Sequence, residues 1–254
     1  MKTVLTIAGS DSCGGAGIEA DIRTITDFNL HPMTAITALT MQNTCKVKKI
    51  YPISPEFTSD LLDNLFEDII PNAVKIGMLY NSEMARAVYE KLKKYDIKNI
   101  VLDPLLISGT GTVLTKDTIR EVFDDGFFSI CTLITPNASE ASKLAHMEVK
   151  NIDDAKLASR KLSERHQTAV LIKGGHLNDE QALDILSYKG KEYIFSNPRL
   201  PNCDPHGTGC ILSSAIASNL ALGKNIIDSV SISKDYLYSK LKNAKQIGKG
   251  KKLI

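Results

Sequence analysis

Short β-like runs alternate with amphipathic helical stretches along almost the whole chain, and this alternation limits the fold more than any other feature. Residues 3–8, Thr-Val-Leu-Thr-Ile-Ala, read as a buried strand, followed by a glycine loop and a helix over about 16–29. Further strands are predicted at 32–39, 73–78, 99–102, 133–135 and 169–172. Helical patterns lie between them at 55–70, 82–95, 115–125, 138–146 and 152–165. A hairpin is expected from 185–188 and 192–195 around Lys189-Gly190, then two helices over 207–222 and 226–242. Strands alternating with helices argue for an α/β fold, a three-layer α/β/α sandwich around a mostly parallel central sheet. No linker, repeat or low-complexity tract divides the chain, so residues 1–254 are read as a single domain.

Composition excludes several classes. Hydrophobic residues at 43% and charged residues at 24% match ordinary globular usage, which rules out a disordered, collagen-like or coiled-coil chain. No apolar run approaches the ~18 residues of a membrane span. Lys2 precedes only a short apolar stretch that Asp11 interrupts, so no secretory leader and no membrane partner are expected. Five cysteines without a CxxC pair argue against a disulfide framework or zinc site, and a cytoplasmic enzyme is the expectation. The net charge of +2 conceals an asymmetry: from Lys240 onward there are six lysines and no acid, so the rest of the chain is acidic. That argues against a nucleic-acid-binding face. The lysine-rich tail reads as a solvated, frayed end.

In open α/β sheets, ligands bind beyond the carboxyl ends of the strands, and the unusual residues cluster there. Gly9 to Gly17 follow the first strand, Gln42-Asn43-Thr44 the second and Gly77-Met78 the third; Asp103-Pro104, Thr135-Pro136-Asn137 and Lys173-Gly174-Gly175 follow later ones. His206-Gly207-Thr208-Gly209-Cys210 opens a helix. Its glycines would let backbone amides point at an anion, although a bare GxG is also an ordinary helix entry. A cysteine in that first turn is expected to have a lowered pKa. The Asp11 to Gly17 loop fails the GxGxxG spacing, because Gly15 and Gly17 are followed by Ala20. Asp21 either faces a ligand or is a first-turn acid. Asp103, Asn137 and Glu140 offer hard oxygens suited to Mg²⁺ beside nucleotide phosphates, and Asn137 with Glu140 also spells a capping box. Lys173 is a candidate phosphate contact. His31, His146, His166, Cys45, Cys131 and Cys203 read as structural.

Taken in order, these blocks resemble hydroxymethylpyrimidine/phosphomethylpyrimidine kinases. The resemblance is carried by Thr6-Ile7-Ala8-Gly9-Ser10-Asp11, Gly14-Gly15-Ala16-Gly17-Ile18, Ala20-Asp21 and Thr37-Ala38-Leu39 with Gln42-Asn43-Thr44. Lys75-Ile76-Gly77-Met78-Leu79, Leu102-Asp103-Pro104, Thr135-Pro136-Asn137, Glu140-Ala141, Lys173-Gly174-Gly175-His176 and His206 to Cys210 continue it. It implies a ribokinase-like fold and ATP-dependent phosphorylation of 4-amino-5-hydroxymethyl-2-methylpyrimidine, then of its monophosphate, in thiamine biosynthesis. By the same resemblance Gln42 would bind the aminopyrimidine edge, Met78 the ring, and Asp21 with Gly9 would lie near the hydroxymethyl group. Gly207, Thr208, Gly209 and Cys210 would form the anion hole. Thr208 and Lys173 would contact ATP, and Mg²⁺ would sit near Asp103, Asn137 and Glu140. Either Cys210 or Asp21 would serve as base. The implied partners are the pyrimidine and ATP, with a homodimer left open.

Some positions depart from that pattern. Pro205 replaces a usual Thr before the His-Gly-Thr-Gly-Cys block, Cys13 stands where Ser or Thr is common, and the stretch from Ser108 to Thr112 lacks a lysine. Gly248-Lys249-Gly250 is only a remnant of a Gly-rich ending. Three rivals follow: a pyridoxal kinase, which typically lacks the Gln-Asn-Thr segment; a non-catalytic pyrimidine sensor, which would lose the Gly-Thr-Gly-Cys block and carry a DNA-binding module; and a Cys–His hydrolase built on Cys210 and His206.

Overall fold

The computed structural model of the chain describes residues 1–105, 119–175, 181–201, 203 and 205–254. The strands are β1 (Thr3–Asp11), β2 (His31–Gln42), β3 (Val47–Pro52), β4 (Ala73–Ile76), β5 (Ile100–Leu102), β6 (Leu133–Ile134), β7 (Ala169–Lys173), β8 (Gln181–Tyr188) and β9 (Lys191–Pro198). They form one sheet in the order β3-β2-β1-β4-β5-β6-β7-β8-β9. The six central strands from β2 to β7 pair in parallel, while β3, β8 and β9 pair antiparallel at the two edges. The order reverses at β1, whose neighbours are β2 and β4, which opens the crevice where such sheets bind ligands.

Successive residues of the central strands turn to opposite faces, and each face has its own cover. Leu5, Ile7, Val74, Ile76, Ile100, Leu102 and Ile134 pack under α2 (Pro55–Asp68), α3 (Ser82–Lys94), α6 (Ala138–Ala145) and α7 (Ile152–His166). Val4, Ala73, Val101, Leu133 and Leu171 pack under α1 (Gly17–Asp27), α8 (Thr208–Ala221) and α9 (Ile226–Leu241). The three-layer sandwich is therefore built on a period-two apolar alternation. α8 is buried along nearly its whole length, which explains why its sequence is small or apolar and carries no charge.

The helix starts follow local chemistry. Ser54, Asn81, Asn137, Asn151 and Asn225 each accept a hydrogen bond from a first-turn amide of the helix they precede. Three sequence expectations need correction. Val47–Pro52 is a strand that was not anticipated, because Lys48, Lys49 and Pro52 make it a polar edge strand. The helix expected to end at 125 begins the described residues as α4 (Ile119–Val122). It then kinks at Asp125 and Gly126, where Gly126 takes a φ of 123°, and resumes as α5 (Phe128–Ile130). The earlier part of that helix, the Ser108 to Thr112 stretch and His176 lie outside the described residues. The lysine-rich tail is not frayed: Lys245 pairs with Leu253 and the chain folds back over the sheet edge.

One buried knot sets the register between layers. Thr6 and Lys75 are cross-strand partners on β1 and β4, facing α1 and α8. Asp21 on α1 accepts from Thr6 Oγ1 at 2.6 Å, from Lys75 Nζ at 2.7 Å and from Ser214 Oγ on α8 at 2.7 Å. Lys75 and Asp21 are fully buried. Burial works against the ammonium, but the charge of Asp21 outweighs it and holds the Lys75 pKa above its usual value. Lys75→Met leaves a buried carboxylate uncompensated and should cost about 3–5 kcal/mol in urea unfolding. Lys75→Met combined with Asp21→Asn should recover a large part of that loss, because no charge is then stranded.

Candidate active site

The carboxyl ends of the parallel strands open into a cavity of about 1170 Å³. Its walls bring together Gly9, Gln42, Met78, Asn137, Glu140, Lys173, Gly207, Thr208, Gly209 and Cys210. Of the residues expected at the site, Asp21 and Asp103 do not line it.

Two backbone loops form its floor. Gly207 caps α8 with a φ of 89°, and a Cβ there would lie 1.9 Å from the Gly15 carbonyl oxygen. Gly17 has a φ of 58°, and its Cβ would lie 2.2 Å from the Gly9 carbonyl. Only glycine fits either position, by conformation and by contact. Among the described residues no side chain caps the start of α8, so its first amides are available to a ligand.

Asp11 organises the loop that meets α8. Its Oδ1 accepts from the Cys13 amide at 3.0 Å, and its Oδ2 from the amides of Gly15 (3.0 Å) and Ala16 (2.9 Å). Burial opposes ionisation of Asp11, but hydrogen bonds from His206 and Cys13 outweigh it and hold the carboxyl below its ordinary range. His206 Nε2 lies 3.1 Å from Asp11 Oδ2 and 2.6 Å from the amide nitrogen of Gln42. Asp11, Cys13 and His206 form a group tight enough for a metal, but none of the expected ligands belongs to it. Backbone amides already occupy the Asp11 carboxylate, and burial pushes the Cys13 thiol up to about 11. These features make the trio a hydrogen-bond hub. The hub also removes the Cys–His pair of the hydrolase reading, since His206 Nε2 is directed at Asp11 and Gln42.

The pyrimidine-facing candidates gather on one wall. Gly9 leaves room for Met78, whose sulfur would stand 3.3 Å from a Cβ at that glycine. Thr37 Oγ1 holds the Met78 carbonyl at 2.6 Å. Asp21 is elsewhere: it sits in the buried knot with both carboxylate oxygens bonded, because the sheet and the helices α1 and α8 meet at its charge there.

On the other wall, Lys173 Nζ donates to Asp103 Oδ1 at 2.6 Å. Burial disfavours this ammonium, but the charges of Asp103 and Glu140 prevail and raise its pKa. Asn137 and Glu140 cap each other as the capping box foretold, at 2.8 and 2.9 Å. Asp103 Oδ2 is buried without a hydrogen-bond partner among the described residues and would lie 3.0 Å from a Cβ on Gly209. An oxygen of this kind, turned toward the start of α8, fits one direct Mg²⁺ ligand, with Asn137 and Glu140 nearby on the cavity wall.

Cys210 contradicts its expected ionisation. Burial pushes its thiol up to about 11, Lys75 pulls it down, and Asp21 and Asp103 push it up again. The helix start alone favoured thiolate, but desolvation and two buried carboxylates override it.

The sequence pattern that defines the phosphomethylpyrimidine kinase family matches residues 11–254. The chain belongs to that family. The hydroxymethylpyrimidine/phosphomethylpyrimidine kinase of Aquifex aeolicus is 43% identical over 251 residues, covering 98% of each chain. The crystal structure of a Clostridium difficile phosphomethylpyrimidine kinase superposes with a TM-score of 0.84 at 38% identity, covering 95% of this chain and 100% of that one. A Bacillus subtilis pyridoxal kinase, solved as an ADP complex, superposes at 0.92 with 29% identity, covering 100% of this chain and 96% of that one. The kinase fold is therefore the ribokinase-like one that the sequence implied.

Several cavity residues of this kinase escaped sequence reading. Asp11 carried a weak signal, lying next to a glycine loop. Arg199 and the buried Lys234–Asp184 pair (2.6 Å) carried none, since they reach the cavity from the residue after β9, from α9 and from β8. A protonated, buried Cys210 predicts slow alkylation. At pH 7.5, iodoacetamide should label the exposed Cys45 first and Cys210 at least tenfold more slowly, with Cys210 labelling rising steeply between pH 9 and 11, as read by peptide mass mapping.

Proposed function

We propose that this kinase transfers a phosphoryl group from ATP to the hydroxymethyl oxygen of 4-amino-5-hydroxymethyl-2-methylpyrimidine, and then phosphorylates the monophosphate to the diphosphate, in thiamine biosynthesis. One observation carries the reading. A single cavity is lined by Gly9, Gln42 and Met78 and, with them, by an uncapped helix start and a lysine. Gln42 has both an amide donor and a carbonyl acceptor for the amino group and ring nitrogen of an aminopyrimidine.

Phosphoryl transfer depends mainly on positioning and charge stabilisation. The amides of Gly207 through Cys210 would hold the transferring phosphoryl oxygens, helped by the helix dipole. Lys173 and Thr208 would contact the phosphates of ATP. Mg²⁺ would be held by Asp103, with Asn137 and Glu140 close by, and would neutralise phosphate charge. Cys210 is the better-placed base, because it lines the cavity and Asp21 does not. Ionising a thiol of pKa about 11 near pH 7 costs about 5 kcal/mol at ~1.4 kcal/mol per unit. That is comparable to the whole 10²–10⁴-fold that a general base supplies. The amides and cations therefore carry the larger share.

The pyridoxal reading rests on the close superposition with a pyridoxal kinase. The intact Gly-Thr-Gly-Cys block at an open helix start favours the kinase over the sensor. Leu39 and Met41 on β2 and Tyr51 on β3 stand exposed, with Leu39 directly opposite Tyr51; this is the surface we assign to a homodimer.

A coupled ADP-release assay with the pyrimidine, its monophosphate and pyridoxal tests the assignment. The pyrimidines should be turned over with the higher kcat/KM, and equal values for pyridoxal would reject it. Gln42→Ala strips a half-buried hydrogen-bonding partner worth about 1–3 kcal/mol, so the pyrimidine KM should rise roughly tenfold or more. For Cys210 the sign follows from its raised pKa: thiolate, and with it kcat, should increase as pH rises from 7 toward 10. Cys210→Ser should lower kcat and flatten that profile. An unchanged profile in the serine variant would leave Cys210 only its backbone amide as a role.

A further inference from the structure

Residues 244–254 leave α9 and return across the mouth of the cavity as a narrow hairpin. Lys245 and Leu253 exchange backbone hydrogen bonds at 2.9 and 3.0 Å, and Gln246 Nε2 braces the loop on the Gly250 carbonyl at 2.8 Å. The hairpin is tied down at two places. At one end, the Lys251 amide donates to the Thr44 carbonyl (2.9 Å), and the Gly250 amide to Thr44 Oγ1 (3.1 Å). At the other, the His206 amide donates to the Lys252 carbonyl at 2.9 Å. Leu253 presses on the Asp11 loop, where a Cβ on Gly15 would lie 2.7 Å from both Leu253 and His206. Ile254 packs against Cys210, Ala20 and Ile211.

The fit against Thr44 requires two glycines. A Cβ on Gly250 would lie 2.0 Å from the Thr44 carbonyl oxygen, and one on Gly248 would lie 2.4 Å from Thr44 Oγ1. Neither distance is tolerable, so any larger residue lifts the hairpin away. Thr44 belongs to the tight turn that follows Gln42, in which Asn43 Oδ1 accepts from the amides of Cys45 and Lys46 at 3.0 Å. The turn ends an edge hairpin of the sheet, so packing from the sheet interior does not fix it. Gln246, Gly250, Lys251 and Lys252 also line the cavity.

We propose that residues 244–254 form a positioning strap for the substrate end of the cavity, with Thr44, Gly248 and Gly250 as its positioning residues. The strap clamps the turn after Gln42 to His206, so that the Gln42 amide is held in place before substrate arrives. Pre-organisation of this kind lowers the ordering cost of binding. A shift of about 1 Å in a positioning group is enough to lose a large factor in binding or rate. The proposal rests on the assignment of Gln42 to the pyrimidine.

The test uses the full chain with Gly250→Ala, Gly248→Ala and the pair Gly248→Ala with Thr44→Ala, comparing kcat and both KM values with thermal unfolding midpoints. Each glycine variant should raise the pyrimidine KM about tenfold, leave the ATP KM and kcat within twofold, and move the unfolding midpoint by only a few degrees. Thr44→Ala removes the hydroxyl and methyl that meet Gly248→Ala, so the pair should bring the pyrimidine KM back to within about threefold of the parent. Equal rises in both KM values, or a pyrimidine KM unchanged in the glycine variants, would overturn the proposal. Substrate preference of the parent is measured first. A parent that prefers pyridoxal rejects the pyrimidine reading, and the strap is then judged by the pyridoxal KM in the same variants.

Discussion

The architecture of this kinase depends on one buried ion pair. Lys75 and Asp21 are each taken wholly out of water, a cost of several kcal/mol per charge that only good geometry repays. Here the geometry is complete: Thr6 and Ser214 supply the remaining donors, so β1, β4, α1 and α8 meet at a single carboxylate. Ser214 lies one helical turn beyond Cys210 on α8 and therefore shares its face. The bond from Ser214 to Asp21 thus fixes the rotation and height of α8 over the sheet. The amides at its start are aimed into the cavity because the helix is pinned one turn below.

The same economy explains the electrostatics of the site. Among the described residues, the buried Lys75 and Lys234 and the half-buried Lys173 each face a buried aspartate: Lys75 with Asp21, Lys173 with Asp103, and Lys234 with Asp184. Pairing offsets these charges against one another, and the open helix start adds its own positive field at the floor. Asp103 differs from the other two aspartates. One of its oxygens is spent on Lys173 and Thr135, while the other has no hydrogen bond from the described residues. A buried oxygen kept unsatisfied is a standing cost, and a cation beside Gly209 would remove it.

The residues that line the cavity were legible in the sequence because carboxyl ends of strands are easy to find. Gly9, Gln42, Met78, Lys173 and the block from Gly207 to Cys210 all mark the end of a strand or the start of a helix. The capping box of Asn137 and Glu140 was legible for the same reason, since it is a local spacing. What sequence did not convey was depth. Asp21 carries the same motif whether it faces a ligand or a lysine from another strand, and only the fold shows that Lys75 lies opposite Thr6. The ionisation of Cys210 was misread because a helix start is visible in sequence, whereas the desolvation and two carboxylates that outweigh it are not. The tail was misread from composition: its lysines suggested solvent, but its anchoring runs through backbone amides and two glycines that carry no charge.

Those glycines point to a common way of building the cavity. Gly17 lies against the Gly9 carbonyl, Gly207 against the Gly15 carbonyl, and Gly250 against the Thr44 carbonyl, each with no space for a single carbon. Backbone packed on backbone has no rotamers to relax, so these three contacts are stiffer than side-chain packing could make them. They join the β1 loop, the start of α8, the turn after Gln42 and the C-terminal residues into one rim. A rim of this stiffness suits phosphoryl transfer, where donors must already stand where negative charge develops. It also limits what can change: substitutions on the cavity walls can alter the ligand, but a Cβ at any of these glycines moves the rim itself.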